Sequence, residues 1–404
     1  MNTFLDSILL RNKEQDVNKP SLHSKNRRKI IDPCQFSSSE YIFKPTKEDW
    51  KIVKKKFLSV IIYLTDKCNS NCKICFEKDS NIYKFDDINY GNLIKILNYI
   101  GKNKKVILFG GEPTVRKDLF KIIKLINSSG NFVEIYTNGI KLYDLNYVKR
   151  LKEYGVKKVH FSFDGFREDI YSSLRNNPDY LKIKLKALKN LEKCSMNVGL
   201  WSTIARGIND DQIPYLLMFA VSNKHFIKSL SLVGLTPFSK SCNINSESYM
   251  TTTDILDVLE RKAISNIKKY YKEFKKFKIN INEILNKIGI NNFPFLSAGI
   301  PFRIHNNKLE EFIPLEDLKQ INKNIKNKEI IKVFNYFIKN FDIKYFKRLL
   351  NISKLGYELE KNDIILLYVF NVLNEINYKP IIRDTVCIGE IDNIPLIMHL
   401  GGVT

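Results

Sequence analysis

The chain has 404 residues, 44% hydrophobic and 27% charged, a globular composition with room for one large α/β domain or two ordinary ones, which excludes a disordered or collagenous chain. Its formal charge of +23 comes mainly from lysine mixed with asparagine and isoleucine, as in "DLKQINKNIKNKEIIK", a pattern of solvated helix faces that leaves nucleic acid possible but not favoured as a partner. The start "MNTFLDSILLRNKEQD" lacks the basic flank and apolar stretch of a signal peptide, and "IILLYVF" from Ile364 is too short to span a bilayer, so the expectation is a cytoplasmic protein with no membrane-spanning segment.

Residues 1–56 read as a polar N-terminal arm, with "KNRRKIIDPCQFSSS" on the surface or partly disordered. From Phe57 a short β-branched run, a turn and a longer segment of helical period repeat in order. The strand candidates are "SVIIYLT", "KVILFGG", "FVEIYTNG", "KKVHFSFDG", "NVGLWSTI" and "SLSLVGLTP". Between them lie "YGNLIKILNYIG", "KDLFKIIKLINSSG", "LNYVKRLKEYG", "YLKIKLKALKNLEK" and "DQIPYLLMFAVSN", each long enough for a crossover helix. Strict alternation implies parallel strands.

The special residues collect at strand ends: Cys68 after the first, Gly110 to Pro113 after the second, Asn138 after the third, Ser162 and Asp164 at the fourth. Parallel folds place their chemistry at the carboxyl ends of strands, so one rim of the 57–250 core is expected to carry the function. After about residue 250 the rhythm is lost. Residues 251–404 are expected to be a mostly helical region that binds substrate or caps the rim. There "TTTDILDVLERKAISNIKKYYKEFKKF" reads as helix with a threonine or aspartate cap, and "NDIILLYVFNVLNEI" as a partly buried helix from near Asp363.

Three of the chain's seven cysteines, Cys68, Cys72 and Cys75, fall within "TDKCNSNCKICF". In a reducing compartment such clusters are metal ligands or redox groups more often than disulfides. A structural zinc site needs a fourth ligand, and the nearest downstream histidine is His160. A redox dithiol uses only Cys72 and Cys75 and leaves Cys68 unexplained. An iron–sulfur cubane normally takes four cysteines, so three leave one iron open. The remaining Cys34, Cys194, Cys242 and Cys387 are scattered and read as ordinary buried or surface thiols.

The spacing C-x3-C-x2-C just after a first strand resembles the radical S-adenosylmethionine (radical SAM) superfamily over roughly residues 57 to 240. The resemblance implies a (β/α)6 partial TIM barrel, α/β in class, with one [4Fe–4S] cluster on Cys68, Cys72 and Cys75 and S-adenosylmethionine on its open iron. It also implies cofactor contacts at Gly110, Gly111, Glu112 and Pro113 in "GGEP", at Asn138 in "YTNG", and at Ser162 and Asp164 in "FSFDG". Arg206 after the fifth strand is a candidate for the cofactor's carboxylate, which an arginine can grip with two hydrogen bonds. Gly234 after the sixth would let the adenine lie near the backbone. Ile74 stands where the family often has an aromatic residue and is expected to pack on the adenine. For Asp164 turn formation is an equal alternative. A bulky residue at Gly111 is expected to obstruct the cofactor and spare the cysteine loop.

The implied chemistry is reductive cleavage of the cofactor to a 5′-deoxyadenosyl radical that abstracts hydrogen from a substrate C–H bond, with an electron donor such as flavodoxin or ferredoxin. Motif wording is nearest the branch containing tetraether lipid synthases and cofactor- and peptide-modifying enzymes, and the expected substrate is a peptide or another biosynthetic intermediate. Cys387, in "RDTVCIGE", is a candidate catalytic hydrogen donor. The alternative is a non-catalytic iron–sulfur or zinc-binding interaction protein with a polyanionic partner.

Overall fold

The computed structural model describes residues 42–75, 86–236, 244–287, 299–340, 364–370, 385–391 and 394–398. A short β1 (Ile42–Phe43) and helix α1 (Lys47–Lys56) lead into β2 (Ser59–Tyr63). The alternation then runs α2 (Tyr90–Ile100), β3 (Lys105–Phe109), α3 (Leu119–Ser128), β4 (Phe132–Thr137), α4 (Leu145–Glu153) and β5 (Val156–Ser162). Two helices follow, α5 (Glu168–Arg175) and α6 (Tyr180–Lys193), then β6 (Asn197–Ile204), α7 (Ile213–Ser222) and β7 (Ile227–Gly234). All six strands expected from the sequence are present, and they pair in parallel in chain order. Helix α5 has no counterpart among the expected elements.

Alternate residues of these strands go to opposite faces. One face carries Val60, Ile62, Val106, Leu108, Ile135, Val159 and Leu200, all at 0% exposure against the helices. Burying each such side chain contributes about 1.5–3 kcal/mol, so this face fixes the register. The other face stays partly open. Tyr136 on β4 and Trp201 on β6 lie two strands apart in sheet order, about 10 Å on a flat sheet at about 4.8 Å per strand, yet their ring centroids are 5.1 Å apart. The sheet therefore curls around its open face.

Beyond β7 come α8 (Thr252–Lys262), α9 (Ile267–Lys287), β8 (Ile300–His305), β9 (Lys308–Glu311), α10 (Leu315–Lys326) and α11 (Ile330–Asn340). The expected threonine cap is Thr251, whose hydroxyl accepts from Asp254 N in a capping box. Strands β10 (Ile364–Phe370), β11 (Thr385–Ile391) and β12 (Ile394–Met398) complete the order β1-β12-β11-β2-β3-β4-β5-β6-β7-β10-β8-β9. The helix expected from near Asp363 is thus corrected: its "IILLYVF" is strand β10, parallel to β7 and antiparallel to β8. A continuous apolar run suits a strand buried on both faces as well as a helix, and the unpaired edge of β7 decides the matter. Strand β11 covers the other edge by pairing in parallel with β2.

Candidate functional site

The cysteine loop leaves β2 and is laced at once to the turn after β3. Leu64 N donates to Phe109 O at 2.8 Å, Gly111 N to Thr65 O at 2.7 Å, and Glu112 N to Lys67 O at 2.9 Å. Only glycine permits this approach. A Cβ at Gly110, whose φ is +135°, would lie 2.3 Å from Thr65 O, and one at Gly111 would lie 2.5 Å from Asp66 O and 2.6 Å from Lys67 O. The expectation that a larger residue at Gly111 would spare the cysteine loop is therefore corrected: the two turns belong to different βα units but share one backbone contact. Arg116 adds a side-chain tie, donating to Leu64 O at 2.7 Å and Ile88 O at 3.0 Å.

Glu112 is buried, and its carboxylate is already engaged. Oε1 accepts from Thr114 N, Thr114 Oγ1 and Thr137 Oγ1 at 3.1, 2.6 and 2.8 Å, while Oε2 accepts from Asn138 N at 2.6 Å. Burial raises its carboxyl above the ordinary range against those hydrogen bonds. It locks the end of β4 to the turn after β3, where Pro113 opens a short 3-10 turn over Pro113–Val115. Asn138 reaches the loop itself, donating to Asn69 Oδ1 at 2.9 Å and to Cys68 Sγ at 3.8 Å.

The far end of the loop docks on α5. Lys73 N donates to Leu174 O at 3.0 Å, and beside it Arg175 pairs with Asp164 through both oxygens, Nε to Oδ2 at 2.7 Å and Nη2 to Oδ1 at 2.9 Å. Asp164 is fully buried and also accepts from Thr203 N at 3.0 Å. Burial alone would raise its carboxyl, but the Arg175 charge holds it below the ordinary range. Neither a free ligand carboxylate nor a bare turn residue describes Asp164: it closes a buried ion pair. The Cys72 sulfur lies within electrostatic reach of Arg175, and Ser70 Oγ is 3.2 Å from that sulfur.

Lys184 joins the ends of β4 and β5, donating to Asn138 O at 2.7 Å and Ser162 O at 2.6 Å. Burial lowers its ammonium to about 8. Sequence reasoning missed both cations. Lys184 was within reach of it, because it interrupts the apolar stripe Leu181, Leu188, Leu191 of α6, all buried. Arg175 ends a short helix of ordinary composition, and nothing in the sequence singles it out.

The remaining candidates sit as follows. Ser162 ends β5, and its Oγ is buried without a hydrogen-bond partner. Ile74 is partly buried against the core. Gly234 ends β7 in register with Ile204. Arg206 pairs with Asp254 at 3.1 Å, and its backbone N donates to Ser248 O at 2.8 Å. The backbone of Cys387 pairs with Ile61, well below the rim. Cys34 and Cys242 lie outside the described residues.

The cysteines supply a soft thiolate donor set suited to iron. Packing around its sulfur pushes the Cys68 thiol up to about 11, although the residue is exposed overall, and the Glu112, Cys72 and Cys75 charges add to this. Its ligation to a metal must therefore release a proton. Among the described residues no three His, Cys, Asp or Glu side chains are gathered closely enough to hold an ion as they stand, so the fit rests on donor chemistry and on the unsatisfied Ser162 hydroxyl at the same rim. No helix among the described residues is long and apolar enough to cross a membrane.

A parallel sheet with a three-cysteine loop at its first strand end defines a class, and comparison with known proteins agrees. The radical SAM superfamily model matches residues 62–220. GTP 3',8-cyclase of Clostridium perfringens is 32% identical over 248 residues, 59% of this chain and 72% of that protein. The 7,8-dihydro-6-hydroxymethylpterin dimethyltransferase of Methanocaldococcus jannaschii is 32% identical over 217 residues, 51% of this chain but only 42% of that protein. Among solved structures, SuiB of Streptococcus suis bound to S-adenosylmethionine matches at 18% identity and a TM-score of 0.42, over 51% of this chain and 47% of that one. The chain belongs to the radical SAM superfamily of enzymes, a family that implies a [4Fe–4S] cluster and S-adenosylmethionine.

Proposed function

We propose that Cys68, Cys72 and Cys75 hold one [4Fe–4S] cluster and that the rim around Ser162 binds S-adenosylmethionine for radical chemistry on a biosynthetic intermediate. Bound there, the pair would supply a 5′-deoxyadenosyl radical that removes hydrogen from a substrate C–H bond. The observation that carries this reading is the cysteine loop fastened to the Gly110–Glu112 turn on the rim where Ser162, at the end of β5, has a buried hydroxyl without a hydrogen-bond partner.

The chain's own residues then have separate tasks. Gly110 and Gly111 let the loop close on its neighbour, and Glu112 freezes the ends of β3 and β4 together. Ser162 Oγ, buried without a hydrogen-bond partner, would donate to the cofactor, and Asn138 Nδ2 would steady Asn69 and Cys68. Ile74 and Gly234 would serve the adenine. For Arg206 to grip the carboxylate, its pair with Asp254 must open. A flavodoxin- or ferredoxin-like donor supplies the electron. Of the two substrate kinds considered, peptide and small molecule, the names of the two relatives, one a GTP cyclase and one a pterin dimethyltransferase, favour the small molecule.

Anaerobically reconstituted protein with dithionite and S-adenosylmethionine is expected to release 5′-deoxyadenosine even without substrate. A verified, reducible cluster that yields none overturns the enzymatic reading. If Cys387 returns a hydrogen atom to the substrate radical, Cys387→Ala should keep that release and lose or divert the product; unchanged product would leave Cys387 structural.

A further inference from the structure

The two buried cations that sequence reasoning missed both stand near Cys72. Lys73 N donates to Leu174 O at 3.0 Å, so one hydrogen bond brings the peptide after the half-buried Cys72 against the residue before Arg175. The Cys72 sulfur lies within electrostatic reach of Arg175 and of Lys184.

Arg175 is held where it stands. Asp164 grips its guanidinium at 2.7 and 2.9 Å, and Thr203 Oγ1 is 3.5 Å from Nη2. Asp164 is fixed in turn: its Oδ1 accepts from Thr203 N at 3.0 Å, its carbonyl accepts from Asn209 Nδ2 at 2.8 Å, and its amide donates to the Tyr171 hydroxyl at 3.3 Å. The chain neighbours Phe163 and Leu174, and Tyr171 as well, are at 0% exposure, so water screens the field of the pair little.

Docking α5 does not call for such a pair. A buried ion pair is seldom worth more than well-packed apolar side chains of the same volume, and α5 already buries Ile170, Tyr171 and Leu174. An apolar contact cannot supply charge beside a thiolate. An electron placed on a cluster adds one negative charge, and the reduction potential follows the net charge and hydrogen bonding around the ligand sulfurs.

We infer that the Asp164–Arg175 pair sets how readily the cluster on Cys72 is reduced: Arg175 favours the added electron, and Asp164 positions Arg175 and offsets part of its charge. The inference deepens the reading proposed above and rests on it. The electron comes from the flavodoxin- or ferredoxin-like donor, and neither residue gains or loses a proton. The two side chains therefore act with opposite signs. Without the Arg175 charge, a buried carboxylate disfavours the reduced cluster; without the Asp164 charge, a buried cation favours it more. A pair that served as a brace alone would loosen α5 in the same way in either variant and shift the potential with one sign.

Square-wave voltammetry of anaerobically reconstituted protein at pH 7, without S-adenosylmethionine, reads the potential, and Mössbauer spectra establish one [4Fe–4S] centre in every sample compared. Arg175→Gln should make one-electron reduction about tenfold less favourable, a negative shift of about 59 mV. Asp164→Asn should shift the potential to the positive. Arg175→Lys, which keeps the charge, should stay within about threefold of wild type. If Arg175→Gln does not load a cluster, Lys184→Gln removes the other buried cation and should also shift the potential to the negative. If Asp164→Asn does not load, the gap between Arg175→Gln and Arg175→Lys decides. Shifts of one sign in Asp164→Asn and Arg175→Gln, an unmoved potential in the loaded variants, or loss of the cluster from all of them overturns the inference and leaves the enzymatic reading standing. A wild type with no reducible cluster overturns that reading, and the inference with it.

Discussion

The two ends of the cysteine loop are held by different physics. The leading end rests mainly on backbone contact: the Thr65 and Lys67 carbonyls accept the amides of Gly111 and Glu112, and the Arg116 side chain adds a tie to Leu64 O. The trailing end also has a backbone hydrogen bond, Lys73 N to Leu174 O, but the helix end that supplies that carbonyl is anchored by side chains, through the buried Asp164–Arg175 pair. A backbone contact has no slack, because peptide atoms cannot rotate out of the way as a side chain can. An ion pair tolerates geometry but not loss of charge, because its surviving partner is left desolvated.

The largest effect is expected from one carbon added at the leading end. Gly111→Ala should abolish iron incorporation, since its Cβ would meet two loop carbonyls at 2.5 and 2.6 Å. The control is Gly91→Ala in α2, where the nearest atom to the new Cβ is Asn89 Oδ1 at 3.4 Å; it should load iron normally. Iron and sulfide analysis after reconstitution checks both, and normal loading of the Gly111 variant would mean that the loop does not depend on this contact.

At the trailing end the expected effect is on stability. Asp164→Asn should cost about 3–5 kcal/mol by leaving Arg175 buried without its countercharge, read as a lower urea midpoint. Arg175→Lys keeps the charge and loses the two-pronged geometry, so it should cost about 1–3 kcal/mol. The acid limb gives the sign. Asp164 is held below the ordinary carboxylate range in the folded chain, so the pair's contribution is complete above the unfolded value of about 3.9 and is lost as pH falls through the folded one. The gap between wild type and Asp164→Asn should therefore stay constant from about pH 5 to 7 and close in acid. A gap that widens in acid would contradict the charge assignment.

The same contrast explains what was legible in the sequence. Strands β2 to β7 and their crossovers announce themselves by local period, and the loop and "GGEP" by residue types that backbone approach demands. The Asp164–Arg175 pair does not: Asp164 looked like a turn former or a ligand because its partner comes from α5, a helix too short and ordinary to be expected. Edge pairing was hidden for a related reason. Ile364–Phe370 becomes a strand because β7, more than a hundred residues earlier, offers an open edge, and no window of local sequence contains that fact. Glu112 was seen as a site residue, but its partners Thr114, Thr137 and Asn138 N, which make it a lock between strand ends, emerge only once the strands lie side by side.

Three cysteines on the β2 loop are expected to carry one cluster. The most direct test is Mössbauer spectroscopy with iron and sulfide counts on anaerobically reconstituted wild type and on Cys68→Ala, Cys72→Ala and Cys75→Ala. One [4Fe–4S] centre per chain is expected in the wild type and none in each variant. Stoichiometric zinc with no cluster on reconstitution, or a full cluster in any one of the three variants, would contradict it.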